Sequence, residues 1–281
     1  MQAALFAFFA MAAPEAVILQ PVTNLYAKPS LEAAVVSQAI YSARVEIVEE
    51  MGDWARIRTA DAYLGWAQSA AFRRLRPEER PYASAGRVAR VENLVAHLYR
   101  DPSVTRHAPL ITAPFEARLE VIAEPEADER RWIQVRLPDN RPAWIQRGDV
   151  SFDTALLPVS EAIRLSKRFL GLPYTWGGTS SLGYDCSGYT QMLSRRMGKS
   201  MPRDAQPQAN WDGARAISKA ELRPGDFVYF GASAEKITHT GMYIGGGEFI
   251  HSTAHRNPVV QISRLDEPHW TRLLVACRRL K

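Results

Sequence analysis

Residues 20 to 152 repeat themselves, and that repeat limits the fold more than any other feature of the 281-residue chain. Leu25-Tyr26-Ala27-Lys28-Pro29-Ser30 returns as Leu98-Tyr99-Arg100-Asp101-Pro102-Ser103, and Ala43-Arg44-Val45-Glu46-Ile47 as Ala117-Arg118-Leu119-Glu120-Val121. Asp53-Trp54-Ala55-Arg56-Ile57-Arg58 is answered by Arg131-Trp132-Ile133-Gln134-Val135-Arg136. Each copy closes on a tryptophan, in Gly65-Trp66-Ala67-Gln68 and Ala143-Trp144-Ile145-Gln146. The offset grows from 73 (Leu25 to Leu98) to 78 (Trp66 to Trp144), so the added residues fall in loops. Copies of about 65 residues, built of short alternating runs with turn residues between, predict two small β-barrels with tryptophans in their cores.

The Pro-, Glu- and Arg-rich stretch Arg76-Pro77-Glu78-Glu79-Arg80-Pro81 reads as the linker between copies. A second boundary falls near Ser151 to Val159, before a helix from about Ser160 to Leu170 that Gly171 and Pro173 end. The expected division is a signal segment over 1–16, barrels over 17–80 and 84–152, and a third domain over 155–281. A hydrophobic content of 46% is sufficient for sizeable cores. The net charge of +5 comes from dispersed basic residues with no nucleic-acid motif, so nucleic-acid binding is not expected. Met1 to Ala13 is apolar, lacks Lys and Arg, and ends in the small-x-small pattern Ala10-Met11-Ala12 of a signal-peptidase site. Export to the cell envelope is expected, with a cytoplasmic protein as the alternative. No apolar run reaches the roughly 18 residues of a transmembrane span.

The chemistry lies further on. Asp185 is a helix N-cap residue type, and Cys186 to Met197 can form a helix with Tyr189, Met192, Leu193 and Met197 inward, closed by Gly198. Cys186 then sits in the first turn, where free backbone N–H groups and the helix dipole favour a thiolate, so its pKa is expected below the ordinary value. Downstream, His239 and His251 flank a glycine turn in a predicted β-hairpin. A turn centred on Gly245 sets the two imidazoles directly opposite each other on one face, one able to take the thiol proton and the other to orient it. A lone cysteine is also a common small core residue, and that reading suits Cys277, which lies in the apolar run Leu273 to Cys277. No close ligand pair accompanies the thiol and histidines, so no metal is expected.

Five motifs in order give these residues a family likeness: Tyr174-Thr175-Trp176-Gly177-Gly178, Asp185-Cys186-Ser187-Gly188, Pro224-Gly225-Asp226, His239-Thr240-Gly241-Met242-Tyr243-Ile244 and Phe249-Ile250-His251. Together they resemble the NlpC-type cell-wall cysteine peptidases, over residues 155 to 281. The resemblance implies an α+β protein with a papain-like catalytic domain, Cys186 as nucleophile, His239 as general base and then acid, His251 as the polar third member, and the Cys186 N–H in an oxyanion hole. The repeat ahead of it resembles the bacterial SH3-like barrels that precede such domains.

The copies differ at one telling place. Tyr63 stands three residues before the first closing tryptophan, whereas the second copy has Arg141 there. This resembles the subgroup in which a tyrosine of the first barrel and an aspartate after the nucleophile helix, here Asp204, grip the free amine of an N-terminal L-alanine. Trp176, Asp185 and Ser187 match other pocket positions of that subgroup. The resemblance implies hydrolysis of the γ-D-glutamyl-L-diamino acid bond of peptidoglycan peptides by a monomer without cofactor, the barrels limiting access to short peptides. A wall-binding autolysin and a non-catalytic wall-binding protein are the alternatives.

Overall fold

The computed structural model describes residues 14–124 and 131–281. The apolar stretch Met1 to Ala13, on which the expectation of export rests, lies outside them. In the first β unit, β1 (Glu15–Ile18), β2 (Val22–Tyr26), β3 (Val35–Ile40), β4 (Arg44–Met51), β5 (Trp54–Arg58), β6 (Leu64–Gln68) and β7 (Phe72–Arg74) form an antiparallel sheet ordered β3-β2-β6-β5-β4-β1-β7. The second unit comprises β8 (Val88–Val91), β9 (Val95–Tyr99), β10 (Ile111–Pro114), β11 (Arg118–Ala123), β12 (Trp132–Arg136), β13 (Pro142–Gln146) and β14 (Val150–Ser151). Its order, β10-β9-β13-β12-β11-β8-β14, is the first order advanced by seven strands.

Strand periodicity decides what fills each unit. In β5, Ala55 and Ile57 enter the core, and in β12, Ile133 and Val135 do so. Because side chains alternate between faces, the tryptophans beside them point the other way. The expectation of tryptophan cores holds in part: Trp66 and Trp132 are buried but outside the two central clusters, Trp54 and Trp144 are half-buried, and Trp54 and Trp132 lie edge-on to Tyr26 and Tyr99, with ring centroids 5.5 and 5.7 Å apart. The linker is pinned: Glu79 takes a bidentate pair from Arg73 at 2.7 and 2.8 Å. The units also interlock, since Tyr41 of the first packs into the core of the second and the Arg118 N–H donates to Ser42 Oγ at 2.9 Å.

The third region begins with α1 (Val159–Lys167), the small hairpin β15 (Thr179–Ser180) and β16 (Gly183–Tyr184), α2 (Cys186–Arg196) and α3 (Ala205–Ala209). It continues with β17 (Ala214–Ile217), β18 (Phe227–Ser233), β19 (Lys236–Gly245), β20 (Glu248–Thr253), β21 (Val259–Arg264), α4 (Pro268–Leu273) and β22 (Leu274–Leu280). Six of these strands make one antiparallel sheet, β17-β22-β18-β19-β20-β21. α1 stops short of Leu170 because the chain tightens into i→i−3 bonds, Arg168 N–H to Leu165 O and Phe169 N–H to Ser166 O.

Helix α2 is buried along its length from Cys186 to Ser194, as a helix enclosed by sheet, neighbouring helices and the N-terminal units must be. Asp185 caps it, accepting the Gly188 N–H at 2.7 Å. Gly188 is required there, since a Cβ would meet Gly178 O at 2.2 Å. The two β units grip opposite ends of this helix. Near its start, Trp176 Nε1 donates to Val35 O at 3.0 Å and the Thr179 N–H to Gln38 Oε1 at 3.2 Å. At its far end, Arg196 holds both oxygens of Glu92 at 3.1 Å, and Phe115 of the second unit enters the core of the third region, its ring 5.3 Å from that of Phe169.

Candidate active site

Cys186 opens α2 and is 7% exposed. Its Sγ lies 4.0 Å from Thr238 O, and the backbone N–H groups of Thr240 and Ser187 point at it, so the thiol rests against β19 beside His239. The expected acidic thiol is not what forms. Burial, and then the charge of Asp185, push the thiol up to about 12, overriding the opposing N–H groups and Arg203. Position at a helix start is outweighed here because the site is dry and because the cap that satisfies Gly188 is itself an anion beside the sulfur.

His239 Nε2 is 2.7 Å from His251 Nδ1, and His251 Nε2 is 3.1 Å from Ser263 Oγ. The two rings meet as expected, but not as a directly opposed pair. The hairpin pairs Met242 with Ile250 and Tyr243 with Phe249, so its turn centres on Gly246, one residue beyond the expected centre. That register faces His251 with Gly241, where a Cβ would come 3.0 Å from the His251 Cβ, and leaves His239 two residues along the diagonal. Gly245, Gly246 and Gly247 all take positive φ, which no sequence rule resolves into a unique centre. Trp270 stacks on His239 at 5.2 Å and stands edge-on to His251 at 4.9 Å, fixing both planes.

Burial, with His269 and His255 adding repulsion, draws His239 down to about 3. Burial and His239 hold the wholly enclosed His251 well below the ordinary histidine range. The resting pair is thus a neutral thiol and a neutral imidazole. Since Nε2 of His239 is occupied by His251, Nδ1 is its remaining ring nitrogen. The Cys186 N–H has no partner among the described residues, an open donor at a helix start.

Tyr63, on the β5–β6 loop of the first unit, and Asp204, which precedes α3, lie close enough for each to shift the other's proton affinity. Burial and the carboxylate push Tyr63 up to about 12, and burial also raises Asp204, although Arg203 and the phenol oppose it. Trp176 leaves most of its ring in solvent, 69% exposed. Asp185 and Ser187 are turned inward. Asp185 accepts Arg203 Nη1 at 3.1 Å and Nη2 at 2.6 Å, and Ser187 Oγ accepts Nη1 at 2.9 Å. Both are occupied by the protein itself. Arg203, 3% exposed, also donates Nε to Ser37 of the first unit at 3.1 Å. Sequence reasoning missed this arginine, although a carboxylate buried beside a nucleophile demands a cation. It also missed Ser263, Trp270 and Tyr174, whose phenol lies within electrostatic reach of the thiol. Cys277 is buried between β17 and β18 in the sheet, as expected of a core residue. Among the described residues no cluster of three or more His, Cys, Asp or Glu is arranged to hold a metal ion.

Comparison with known proteins places this geometry. Residues 171–279 match the NlpC/P60 family and residues 21–72 the bacterial SH3 domain. The chain is 31% identical over 259 residues to the gamma-D-glutamyl-L-lysine dipeptidyl-peptidase of Bacillus cereus (strain ATCC 10987 / NRS 248), covering 86% of this chain and 74% of that one. The protein of the same name from Bacillus subtilis (strain 168) is 27% identical over 253 residues, covering 86% and 80%. The crystal structure of an NlpC/P60 family protein from Bacillus cereus ATCC 10987 superposes with a TM-score of 0.81 at 24% identity, over 95% of this chain and 99% of that one. The likeness in fold therefore runs through the β units as well as the peptidase region, and the chain is a cysteine peptidase that belongs to the NlpC/P60 family.

Proposed function

We propose that the protein is a papain-like endopeptidase hydrolysing the bond between γ-D-glutamate and an L-diamino acid in peptidoglycan peptides with a free N-terminal L-alanine. The observation that supports this reading most is the mutual influence of Tyr63 and Asp204, a phenol from the first β unit and a carboxylate from the region that carries the thiol. An ammonium leaving water needs a carboxylate and further polar partners, and these two groups offer them. Cys186 is the nucleophile, His239 the base and His251 the group that orients it. Trp176 lends its exposed face as a wall of the cleft, while Asp185 and Ser187 serve by holding Arg203.

Because thiol and imidazole rest neutral, the Sγ proton passes to His239 Nδ1 as sulfur attacks the γ-carbonyl carbon. The carbonyl oxygen turns toward the Cys186 N–H. The C–N bond then breaks as His239 returns the proton to the leaving amine, giving a thioester and a free diamino acid. Water, deprotonated by His239, attacks the thioester and releases the dipeptide acid and the thiol. His251, bonded to Ser263, steadies the imidazolium that forms in each step. No step calls for a metal or cofactor, and one chain supplies every group.

We take the second β unit to be SH3-like as well, since its strand order equals that of the first. The domains on this reading cover 17–80, 84–152 and 155–281, and the peptides arise at the envelope, so export belongs to the proposal. Wild type and Cys186→Ala should be compared on L-Ala-γ-D-Glu-diaminopimelate, its lysine counterpart, the first tripeptide acetylated at its amine, and intact wall. Cleavage of the free tripeptides alone, abolished in the variant, is the expected result. Equal turnover of the acetylated peptide removes amine recognition, and activity without the thiol removes the mechanism.

A further inference from the structure

Gln191 sits on α2 five residues after the nucleophile, 5% exposed, and its carboxamide has two N–H bonds to place. One goes to Asp61 Oδ2 at 2.8 Å, on the loop that carries Tyr63. The other goes to Met201 O at 3.0 Å, on the segment that carries Asp204. A single side chain thus ties both halves of the Tyr63–Asp204 pair to the helix that carries the thiol.

The loop itself is wound around Asp61. Thr59 Oγ1 donates to Asp61 Oδ1 at 2.5 Å, the Thr59 N–H donates to Tyr63 O at 3.0 Å, and the Ala62 N–H to Thr59 O at 2.9 Å. Ala62 is held at φ +65°, a left-handed conformation that an alanine leaves unless its surroundings impose it. In the equivalent turn of the second unit the aspartate is satisfied locally: Asp139 accepts the N–H of Arg141 at 3.2 Å and its Nε at 2.8 Å, while Arg73 Nε of the first unit donates to Pro138 O at 2.6 Å, and the left-handed residue is Asn140, which tolerates that region. Among the described residues, only the first turn is tied through its aspartate to the helix that carries the thiol.

We infer that Gln191 and Asp61 are positioning residues for substrate selection: they set the distance between Tyr63 and Asp204, and so the preference for a free amine, without taking part in bond breaking. This rests on the amine-recognition reading above. Asp61→Ala cuts one tether and leaves the catalytic groups untouched. Asp61→Asn keeps an oxygen for Gln191 and is the conservative control.

In Asp61→Ala the KM for free L-Ala-γ-D-Glu-diaminopimelate should rise about tenfold with kcat within about twofold, the loss of roughly one hydrogen bond of uniform binding. Turnover of the acetylated tripeptide should not change, and amide hydrogen exchange over residues 59–64 should quicken. Asp61→Asn should stay close to wild type in all three. Unchanged exchange in Asp61→Ala overturns the tether, and so does quickened exchange with an unchanged free-to-acetylated ratio. An equal loss on both substrates with a lower melting temperature assigns the pair a merely structural role and overturns it too. Tyr63→Phe and Asp204→Ala run in parallel separate the two readings: if neither alters the free-to-acetylated ratio, amine recognition itself has failed, whereas if both do and Asp61→Ala does not, the positioning inference alone has failed.

Discussion

The two β units share a strand order, yet they meet the peptidase region in different ways. The second adds hydrophobic mass to its polar ties: besides the Glu92 pair with Arg196, Phe115 is 1% exposed and sits among Phe169, Tyr184 and Tyr189. The first offers polar atoms: the Val35 carbonyl, Gln38, Ser37 and Asp61 all hydrogen-bond to groups on α2 or the segments on either side of it, and Tyr63 lies within electrostatic reach of Asp204. Under the proposed function the two units divide two tasks, the second stabilising the peptidase region and the first shaping what reaches the thiol.

The division is sharpest where it can be broken. Phe115→Ala should lower stability by about 3–5 kcal/mol through the cavity it leaves, while the free-to-acetylated ratio of the folded fraction stays put, read by denaturant unfolding and kinetics. A changed ratio would mean that the second unit also governs selection. Asp204→Ala should act the other way, cutting the preference for the free tripeptide roughly 10- to 100-fold, as expected for a charge-assisted contact, with little change in unfolding. Tyr63→Phe should reduce it by about fivefold to tenfold, and Arg141→Ala, at the matching place in the second unit, should do nothing.

Acid separates selection from chemistry. Asp204 is raised above the ordinary aspartate range, so it takes up its proton at a higher pH than a free carboxylate would. Under the proposed function, recognition of the amine is present above that pKa and fades as pH falls through it. His239, at about 3, is still a competent base there. In pH profiles of kcat/KM the free tripeptide should therefore lose its advantage before the acetylated one loses its slow turnover. Coincident acid limbs would assign the loss to the catalytic pair instead.

The smallest effect concerns the turns. Ala62→Gly should stabilise by roughly 0.5–1 kcal/mol by relieving a left-handed alanine, and Asn140→Ala should destabilise by about as much, measured as shifts in denaturant midpoint. An unchanged midpoint for Ala62→Gly would mean that the left-handed alanine carries no strain.

Much of this was legible in the residues, and the gaps have physical causes. Strand repeats, the Asp185 cap and Gly198 stop of α2, and the closeness of the two histidines follow from short-range rules that the chain obeys locally. The position of Tyr63 against Asp204 required a likeness to other proteins, because nothing in either segment encodes the docking of two domains. The thiol's acidity went wrong because a helix start says nothing of how dry the site is or how near the capping charge lies. The hairpin centre was off by one because three successive glycines permit several turns. Arg203 and Gln191 were invisible, since a charged or amide side chain on a helix or loop is ordinarily solvated and only the assembled interior shows what it serves.

Phe115 carries one more consequence. Its ring belongs by sequence to the β-rich half and by location to the enzyme's interior, so the peptidase region has no complete interior of its own. A fragment beginning near residue 155 should emerge with a hole where that ring belongs and with greasy surface around it. On the ribosome the missing wall is made first: the N-terminal units leave the exit tunnel ahead of the nucleophile helix and can serve as a mould on which the last 120 or so residues set.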